Sequence, residues 1–352
     1  MKKALITGVT GQDGAYLSDF LLKKGYKVYG TYRRSSTPNF WRLQVLNVLD
    51  KITLIPADIT DMSSLLEAVT ISDPDEIYNL AAQSYVGASF DQPMVTASVD
   101  GMGPLMFLEI IRHLKKKIKY YQASTSELYG ENDGGTAKCQ NEDTVFMPTS
   151  PYAAAKLYGY HIVKIYRDAY GIFACNGILF NHESPIRGLE FVTRKITNAV
   201  ARIKLGLQKE LKLGNMNSKR DWGFAPDYVE AMWMILQQDK ADDYVIATNE
   251  THSVKEFVEE AFKAVGLDYN KYVKTDEKLV RPKDVEYLCG DYSKSKKVLG
   301  WEPKTKFKEL VKKMVDADLS RWTNFQKGKQ FPWDAFNYNE NLDILKREKK
   351  LW

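Results

Sequence analysis

The start of the chain restricts its fold most. The apolar run Ala4-Leu5-Ile6-Thr7 leads directly into Gly8-Val9-Thr10-Gly11-Gln12-Asp13-Gly14, and helical spacing follows over residues 15–24. A short strand, a glycine-rich turn and a helix open a βαβ unit. Glycine has no Cβ, so such a turn lets the backbone approach a bulky anion. The helix behind it offers free N–H groups and the positive end of its dipole. The spacing is GxxGxxG rather than GxGxxG. A glycine-rich turn that binds nothing has the same composition, but the strand before and the helix after favour a dinucleotide pyrophosphate at Gly8, Thr10, Gly11, Gln12, Asp13 and Gly14.

The alternation continues. Residues 27–31, 52–55, 76–80, 118–123 and 173–180 read as strands, with helical periodicity over 95–113 and 152–169. This implies a parallel sheet covered on both faces. The expected fold is α/β: a Rossmann-type doubly wound parallel sheet with a smaller C-terminal α/β substrate domain. At about 150 residues per domain, 352 residues make about two. The cofactor domain is expected over 1–180, with 224–247 a candidate to rejoin it through a strand at 244–247. The second domain is expected over 181–340, with helices near 193–205, 228–237, 253–265 and 307–319. A tail over 341–352 follows; its helical stretch 341–350 packs on the body, packs on a neighbouring subunit or stands in solvent.

Composition excludes several classes. A chain 44% hydrophobic and 27% charged is not disordered. No apolar run approaches the ~20 residues of a membrane span, and the N-terminus lacks a signal-type apolar stretch. Lys and Arg number 50 against 45 Asp and Glu; a net charge of +5 permits an acidic small molecule but does not suggest a nucleic-acid binder. Cys139, Cys175 and Cys289 are odd in number and far apart, which gives neither a disulfide framework nor a zinc spacing and points to a reducing cytoplasm. The histidines are scattered, and no metal is expected.

After the second strand an NAD-type site would carry an acid for the ribose hydroxyl. Here Tyr32 is followed by Arg33, Arg34, Ser35 and Ser36. Two guanidiniums and two hydroxyls suit a 2′-phosphate, so NADP is expected; a solvated loop is the bland reading. Asp58 and Ile59 follow the third strand and are placed at the adenine edge. Leu80, Ala81, Ala82, Gln83 and Ser84 follow the fourth, where small residues let a dinucleotide lie close to the sheet.

Tyr-x-x-x-Lys occurs at 152/156, 160/164 and 292/296. Ser150-Pro151 marks a helix start just before the first pair, and residues four apart share a helix face. Lys156 is expected to lower the Tyr152 pKa from about 10 and make it a base for a sugar hydroxyl. The strand at 118–123 ends in Ser124-Thr125-Ser126-Glu127. Thr125 and Ser126 can share the proton that Tyr152 handles, and Glu127 is a second acid/base; the alternative is a hydroxyl-capped loop with a solvated carboxylate. Two acid/base groups beside a nicotinamide fit an internal redox dehydration.

The segments GVTGQDG (8–14), YRRSS (32–36), NLAAQS (79–84), YQASTSELYG (121–130), SPYAAAKLY (150–158), NGILFNHESPIRG (176–188), FVTRKIT (191–197), LGNMNSKRDWG (213–223), DYVEAMW (227–233) and RPKDVEYLCGD (281–291) carry a resemblance over nearly the whole chain. The chain resembles the extended short-chain dehydrogenase/reductases and, within them, is similar to the GDP-mannose 4,6-dehydratase family. That resemblance implies catalytic roles for Thr125, Glu127, Tyr152 and Lys156, and cofactor contacts for His182 and Arg187. It implies GDP-sugar contacts for Ser84, Asn181, Val192, Lys195, Arg220, Arg281 and Asp284. It also implies a homo-oligomer, often a tetramer, in which the Arg34-Ser35-Ser36 loop reaches a neighbour's cofactor. Tyr85, Ile186, Phe224, Pro226 and Asp284 depart from the family pattern and leave mannose and a manno-heptose both open as the sugar. An epimerase, a 4-keto reductase and a non-catalytic dinucleotide-binding protein are the alternatives; Glu127, Tyr152 and Lys156 argue against them.

Overall fold

The strands of this chain carry apolar side chains on both faces, so both faces must be covered. In the computed structural model, which describes residues 1–37, 39–132, 139–279 and 283–333, they are. Seven strands form one sheet: β1 (Lys3–Thr7), β2 (Lys27–Tyr32), β3 (Thr53–Pro56), β4 (Glu76–Asn79), β5 (Lys119–Thr125), β6 (Ala174–Leu179) and β7 (Tyr244–Ile246). Their order is β7-β6-β5-β4-β1-β2-β3, and every pair is parallel. Alternation sends Ala4, Ile6 and Tyr78 into a core on one face, and Leu5, Ile77 and Tyr120 into a core on the other. Helices α1 (Gln12–Lys23), α2 (Met62–Ser72), α3 (Gly103–Leu114), α4 (Pro151–Tyr170), α5 (Val192–Lys204), α6 (Ala225–Leu236), α7 (Val254–Ala264) and α8 (Phe307–Gln326) complete the main elements. α1 and α6 pack together on one face, and α3 and α4 on the other. A further apolar core gathers α5, α7 and α8 with Leu211, Leu213 and Trp222.

The doubly wound sheet is as the alternation predicts. The chain leaves β1 towards β3 and returns to place β4 on β1's other side. That reversal opens a crevice at the C-terminal strand ends, where α/β sheets bind ligands.

Two expectations from composition need correction. Pro93–Leu114 forms one 22-residue helical run that is apolar enough to cross a membrane by length and composition. Half of it is buried, and it packs on α4 as a core helix. Separately, Cys139 and Cys289 are joined in a disulfide, with Cα atoms 4.6 Å apart across a sequence separation of 150, while Cys175 is free and buried. Pairing of Gln140 with Gly290 brings the two loops together, which no cysteine spacing reveals. The cysteines therefore no longer argue for a reducing compartment. Helix α2 is absent from the expected elements, although Met62, Leu65, Leu66 and Val69 follow helical spacing; Asp61 caps it by accepting from the Ser64 N–H. The tail 341–352 and its expected helix lie outside the described residues.

Candidate active site

The Thr7 hydroxyl ties the two strands at the crevice. It donates to Asn79 Oδ1 at 2.7 Å and accepts from the Leu80 and Ala81 N–H groups at 3.0 and 2.9 Å. Gly8 must therefore pass close to Ala81: it has φ +62°, and a Cβ there would lie 2.9 Å from the Ala81 Cα. A Cβ on Gly14 would meet the Gly8 oxygen and the Val9 Cα at 2.6 Å. Gly11 is the N-cap of α1 and no side chain caps it, so the first amides of the helix open into a cleft of about 700 Å³.

A network fixes this helix end. Gln12 donates to the His182 carbonyl at 3.1 Å and accepts from Ser184 Oγ at 2.7 Å. His182 Nε2 lies 2.7 Å from Asp13 Oδ2, its Nδ1 lies 2.8 Å from the Phe180 carbonyl, and its ring stacks on Tyr228. Burial works against both charges, yet His182 holds the Asp13 carboxyl below its ordinary pKa and Asp13 raises that of His182. Arg42, outside every motif, ties the turn to the far wall by donating to the Thr10 and Ile186 carbonyls.

Gly8, Thr10, Gly11, Gln12, Asp13 and Gly14 line the cleft, and so do Arg33, Asp58, Ile59 and the segment 80–84. Arg34, Ser35 and Ser36 are exposed and are not part of its lining.

Thr125, Ser126, Glu127, Tyr152 and Lys156 meet at the same cleft. Ser150 accepts from the Ala153 N–H and Pro151 starts α4, so Tyr152 stands in the first turn. At the end of β5, Thr125 accepts from the Glu127 N–H at 3.2 Å and caps the short turn Ser126–Leu128. Lys156 Nζ donates to the Ala123 carbonyl at 3.1 Å and lies 5.8 Å from the Tyr152 ring centroid.

Here one expectation fails. Lys156 does not leave Tyr152 with a lowered pKa. Burial and the charge of Asp100 raise it above the usual phenol value, opposed by a hydrogen bond from Thr125 and the charge of Arg187. Asp100, fully buried, lies 3.7 Å from Lys156 Nζ and offsets its charge. Burial pushes Asp100 itself up to about 6 against the pull of Lys156 and of the Gln83 N–H, while burial lowers Lys156 against the pull of Asp100. Sequence reasoning missed Asp100; its one trace is an acid in the apolar first half of a helical run, on a π-helical turn over Ala97–Met102. The other two Tyr-x-x-x-Lys pairs lie away from the cleft: Tyr160 packs against Phe146, and Lys296 pairs with Glu302.

Asn181, His182, Arg187, Val192, Arg220 and Asp284 also line the cleft. Asp284 accepts from Arg220 Nη2 at 2.9 Å and from Ser218 Oγ at 3.1 Å. Asn181 Oδ1 is buried without a hydrogen-bond partner among the described residues. Arg187 lies over the Phe191 ring, and Tyr85 meets the same ring edge-on. Lys195 is elsewhere: it lines a second hollow of about 340 Å³ with Asn198, Arg202 and Lys212. Arg281 lies outside the described residues.

A doubly wound sheet, a glycine turn leading into a helix with open N-terminal amides, and a Tyr-x-x-x-Lys pair at the same strand ends define an extended short-chain dehydrogenase/reductase. Comparison narrows the class. The family model for GDP-mannose 4,6 dehydratase matches residues 5–314. GDP-mannose 4,6 dehydratase 2 of Arabidopsis thaliana is 53% identical, covering 90% of this chain and 87% of its own. The enzymes of that name from Dictyostelium discoideum (93% and 98% covered) and Homo sapiens (90% and 91%) are 50% and 48% identical. Among solved structures, the UDP-glucose 4-epimerase of Thermus thermophilus in complex with NAD is similar with a TM-score of 0.78 at 25% identity, covering 90% of this chain and 99% of its own. The dTDP-glucose 4,6-dehydratase of Bacillus anthracis shares the fold, with a TM-score of 0.80 at 22% identity over 94% and 100% of the chains. This chain belongs to the GDP-mannose 4,6-dehydratase family.

Proposed function

We propose that the chain is a hydro-lyase that converts GDP-mannose to GDP-4-keto-6-deoxymannose and water, with NADP as resident cofactor. Family membership carries the reaction, and the meeting of Glu127 with Tyr152 and Lys156 in one cleft supports the role of each. A dinucleotide fits the turn: Cβ atoms on Gly8 and Gly14 would collide with backbone, and the amides beyond Gly11 suit a pyrophosphate. Arg33 at the cleft, with no acid at the end of β2, favours the 2′-phosphate. Arg34, Ser35 and Ser36 lie off their own cleft, which fits the proposal that they serve a neighbouring subunit in a homo-oligomer such as a tetramer.

When bound, the nicotinamide accepts hydride from C4 of the sugar and returns it to C6, so it is not consumed. Tyr152 takes the proton of the C4 hydroxyl. Because burial and Asp100 raise its pKa, it acts as a base only where positive charge opposes them; Arg187 supplies part of this, and a bound oxidised nicotinamide would add to it. Lys156, braced on the Ala123 carbonyl, is placed to orient the phenol and would hold a ribose hydroxyl of the cofactor. Thr125 shares the proton. Glu127 removes the C5 proton and protonates the departing C6 hydroxyl, which leaves as water; as C6 regains hydride, C5 takes back one proton, which balances the one Tyr152 took from the C4 hydroxyl. Arg220, with Asp284 behind it, holds the anionic nucleotide end, and Asn181 Oδ1, without a partner among the described residues, can accept from a hydroxyl of the ligand.

Mass spectrometry of GDP-mannose after incubation with enzyme and catalytic NADP⁺ tests this. Loss of one water with no lasting NADPH absorbance is expected. An unchanged mass, with water lost instead from a GDP-manno-heptose, would move the substrate by one carbon; no water lost from either overturns the reading.

A further inference from the structure

We propose that Cys139 and Cys289 are a reversible redox modification site that sets how firmly the Arg220–Asp284 wall of the cleft grips the nucleotide sugar. The inference rests on the proposed function for the identity of that ligand.

The disulfide ties down a segment that reaches the cleft wall. Cys289 is buried and Cys139 is half-buried. Between them, Gln140 donates its N–H to the Cys289 carbonyl at 2.7 Å, and its side-chain oxygen accepts the Cys289 N–H at 2.9 Å. Its carbonyl accepts from the Asp291 N–H at 2.8 Å. The opposite edge of the segment lies along the strand Lys219–Arg220: Lys219 N–H donates to the Glu286 carbonyl and Leu288 N–H to the Lys219 carbonyl. Gly290 N–H donates to Asp221 Oδ2, on the residue next to Arg220. Asp284 opens the same segment and accepts from Arg220 and Ser218 at the cleft. A continuous set of bonds thus runs from the sulfurs to the Arg220–Asp284 pair.

Little slack lies along that path. A Cβ on Gly290 would sit 2.2 Å from the Ala247 Cβ and 2.7 Å from the Phe180 ring. A close-packed segment passes a displacement on rather than absorbing it. Val285 and Leu288 of the segment pack in one core with Leu128 and Tyr129, beside Glu127, but its hydrogen bonds end on Arg220 and Asp284. Cutting the tie therefore acts first on grip on the ligand.

The exchange needs a dithiol partner. One thiolate of the reductant attacks Cys139 Sγ, the more open sulfur, and the Cys139–Cys289 bond breaks. Cys289 leaves as thiolate and is protonated. The second thiol of the reductant then attacks the mixed disulfide and releases Cys139. Two electrons and two protons pass to the protein, and the reductant becomes a disulfide; a disulfide oxidant reverses the step.

Dithiothreitol, in its reduced and oxidised forms, is the probe, and the intact chain is used throughout. Thiol titration of oxidised, denatured protein is expected to find one reactive cysteine of the three, and all three after reduction. The KM for GDP-mannose is expected to rise three- to tenfold on reduction, with kcat within twofold and full return on reoxidation. Cys139→Ser and Cys289→Ser should behave as the reduced enzyme and ignore dithiothreitol, whereas Cys175→Ala should keep the response. Three free thiols after oxidation, or equal KM in both forms, overturns the proposal; the wild-type comparison decides even if a variant fails to fold. If neither form dehydrates GDP-mannose, the functional reading fails instead. Calorimetry with GDP on the two forms then judges the redox site: weaker binding after reduction upholds it, and equal binding sinks it.

Discussion

At the scale of the residue, the cleft depends on charges that offset one another. Replacing Glu127 by Gln keeps the shape but removes the second acid/base. Hydride chemistry at C4 should survive while water loss falls by about 10²–10⁴-fold, the usual worth of a general acid/base. Rapid mixing would show a burst of NADPH absorbance that decays slowly; water loss at the wild-type rate would remove Glu127 from its role. Asp100 gives a test by pH. Its folded pKa stands at about 6, above the ordinary 3.8, so the folded state holds its proton more tightly than the unfolded state does. The contribution is present at low pH and is lost as pH rises from about 4 through about 6. Asn fits its surroundings: Oδ1 keeps the Gln83 N–H, and Oδ2 has no partner among the described residues. Asp100→Asn stands in for the protonated carboxyl, so it should match the wild type near pH 4 and be the more stable of the two above about pH 6. Its unfolding free energy, followed by urea titration at several pH values, should lack the wild-type decline between pH 4 and 6, a difference of about 2–3 kcal/mol over that window. Parallel profiles would dismiss this account of the carboxyl.

At the scale of the element, the glycine turn and the start of α4 govern the site. Gly14 lets α1 sit directly on the end of β1, with Gly8 oxygen and Val9 Cα where a Cβ would be. Neither atom is the end of a flexible side chain, so Gly14→Ala must shift α1 against the sheet. The expected cost is about 1–3 kcal/mol, typical of overpacking, together with weaker dinucleotide binding, read as a lower urea midpoint and reduced quenching of tryptophan fluorescence by NADPH. Ser150→Ala removes the α4 cap and should cost about 1 kcal/mol. Because Tyr152 stands in that first turn, kcat should fall more than the KM for the sugar changes. Both the cap and the turn are short-range signals, and both are legible in the sequence. Helix α2 carries the same kinds of signal in Asp61 and the spacing of Met62, Leu65, Leu66 and Val69, whereas Asp100 escapes because nothing near it in sequence demands an acid.

For the whole molecule, the disulfide is the longest covalent tie. Closing a loop across 150 residues is worth about 2–5 kcal/mol by denatured-chain entropy, so reduction should lower the urea midpoint clearly even before any effect on binding is measured. An unchanged midpoint would mean that the tie adds nothing to the folded state. Sequence alone settles whatever neighbours in the chain decide between them. A Gly-rich turn after a strand, a Pro-started helix with Tyr and Lys on one face, and alternation that needs a doubly covered parallel sheet are all written within a few residues of one another. Folding settles whatever depends on burial and on partners far apart in the chain. It set Asp13 against His182, Asp100 under Lys156 and Arg220 on Asp284, and it turned Lys195 to a second hollow. Two cysteines that spacing had left unpaired were joined. The Tyr152 pKa went up rather than down because a desolvated phenol feels every buried charge around it, while the sequence names only the lysine four residues on.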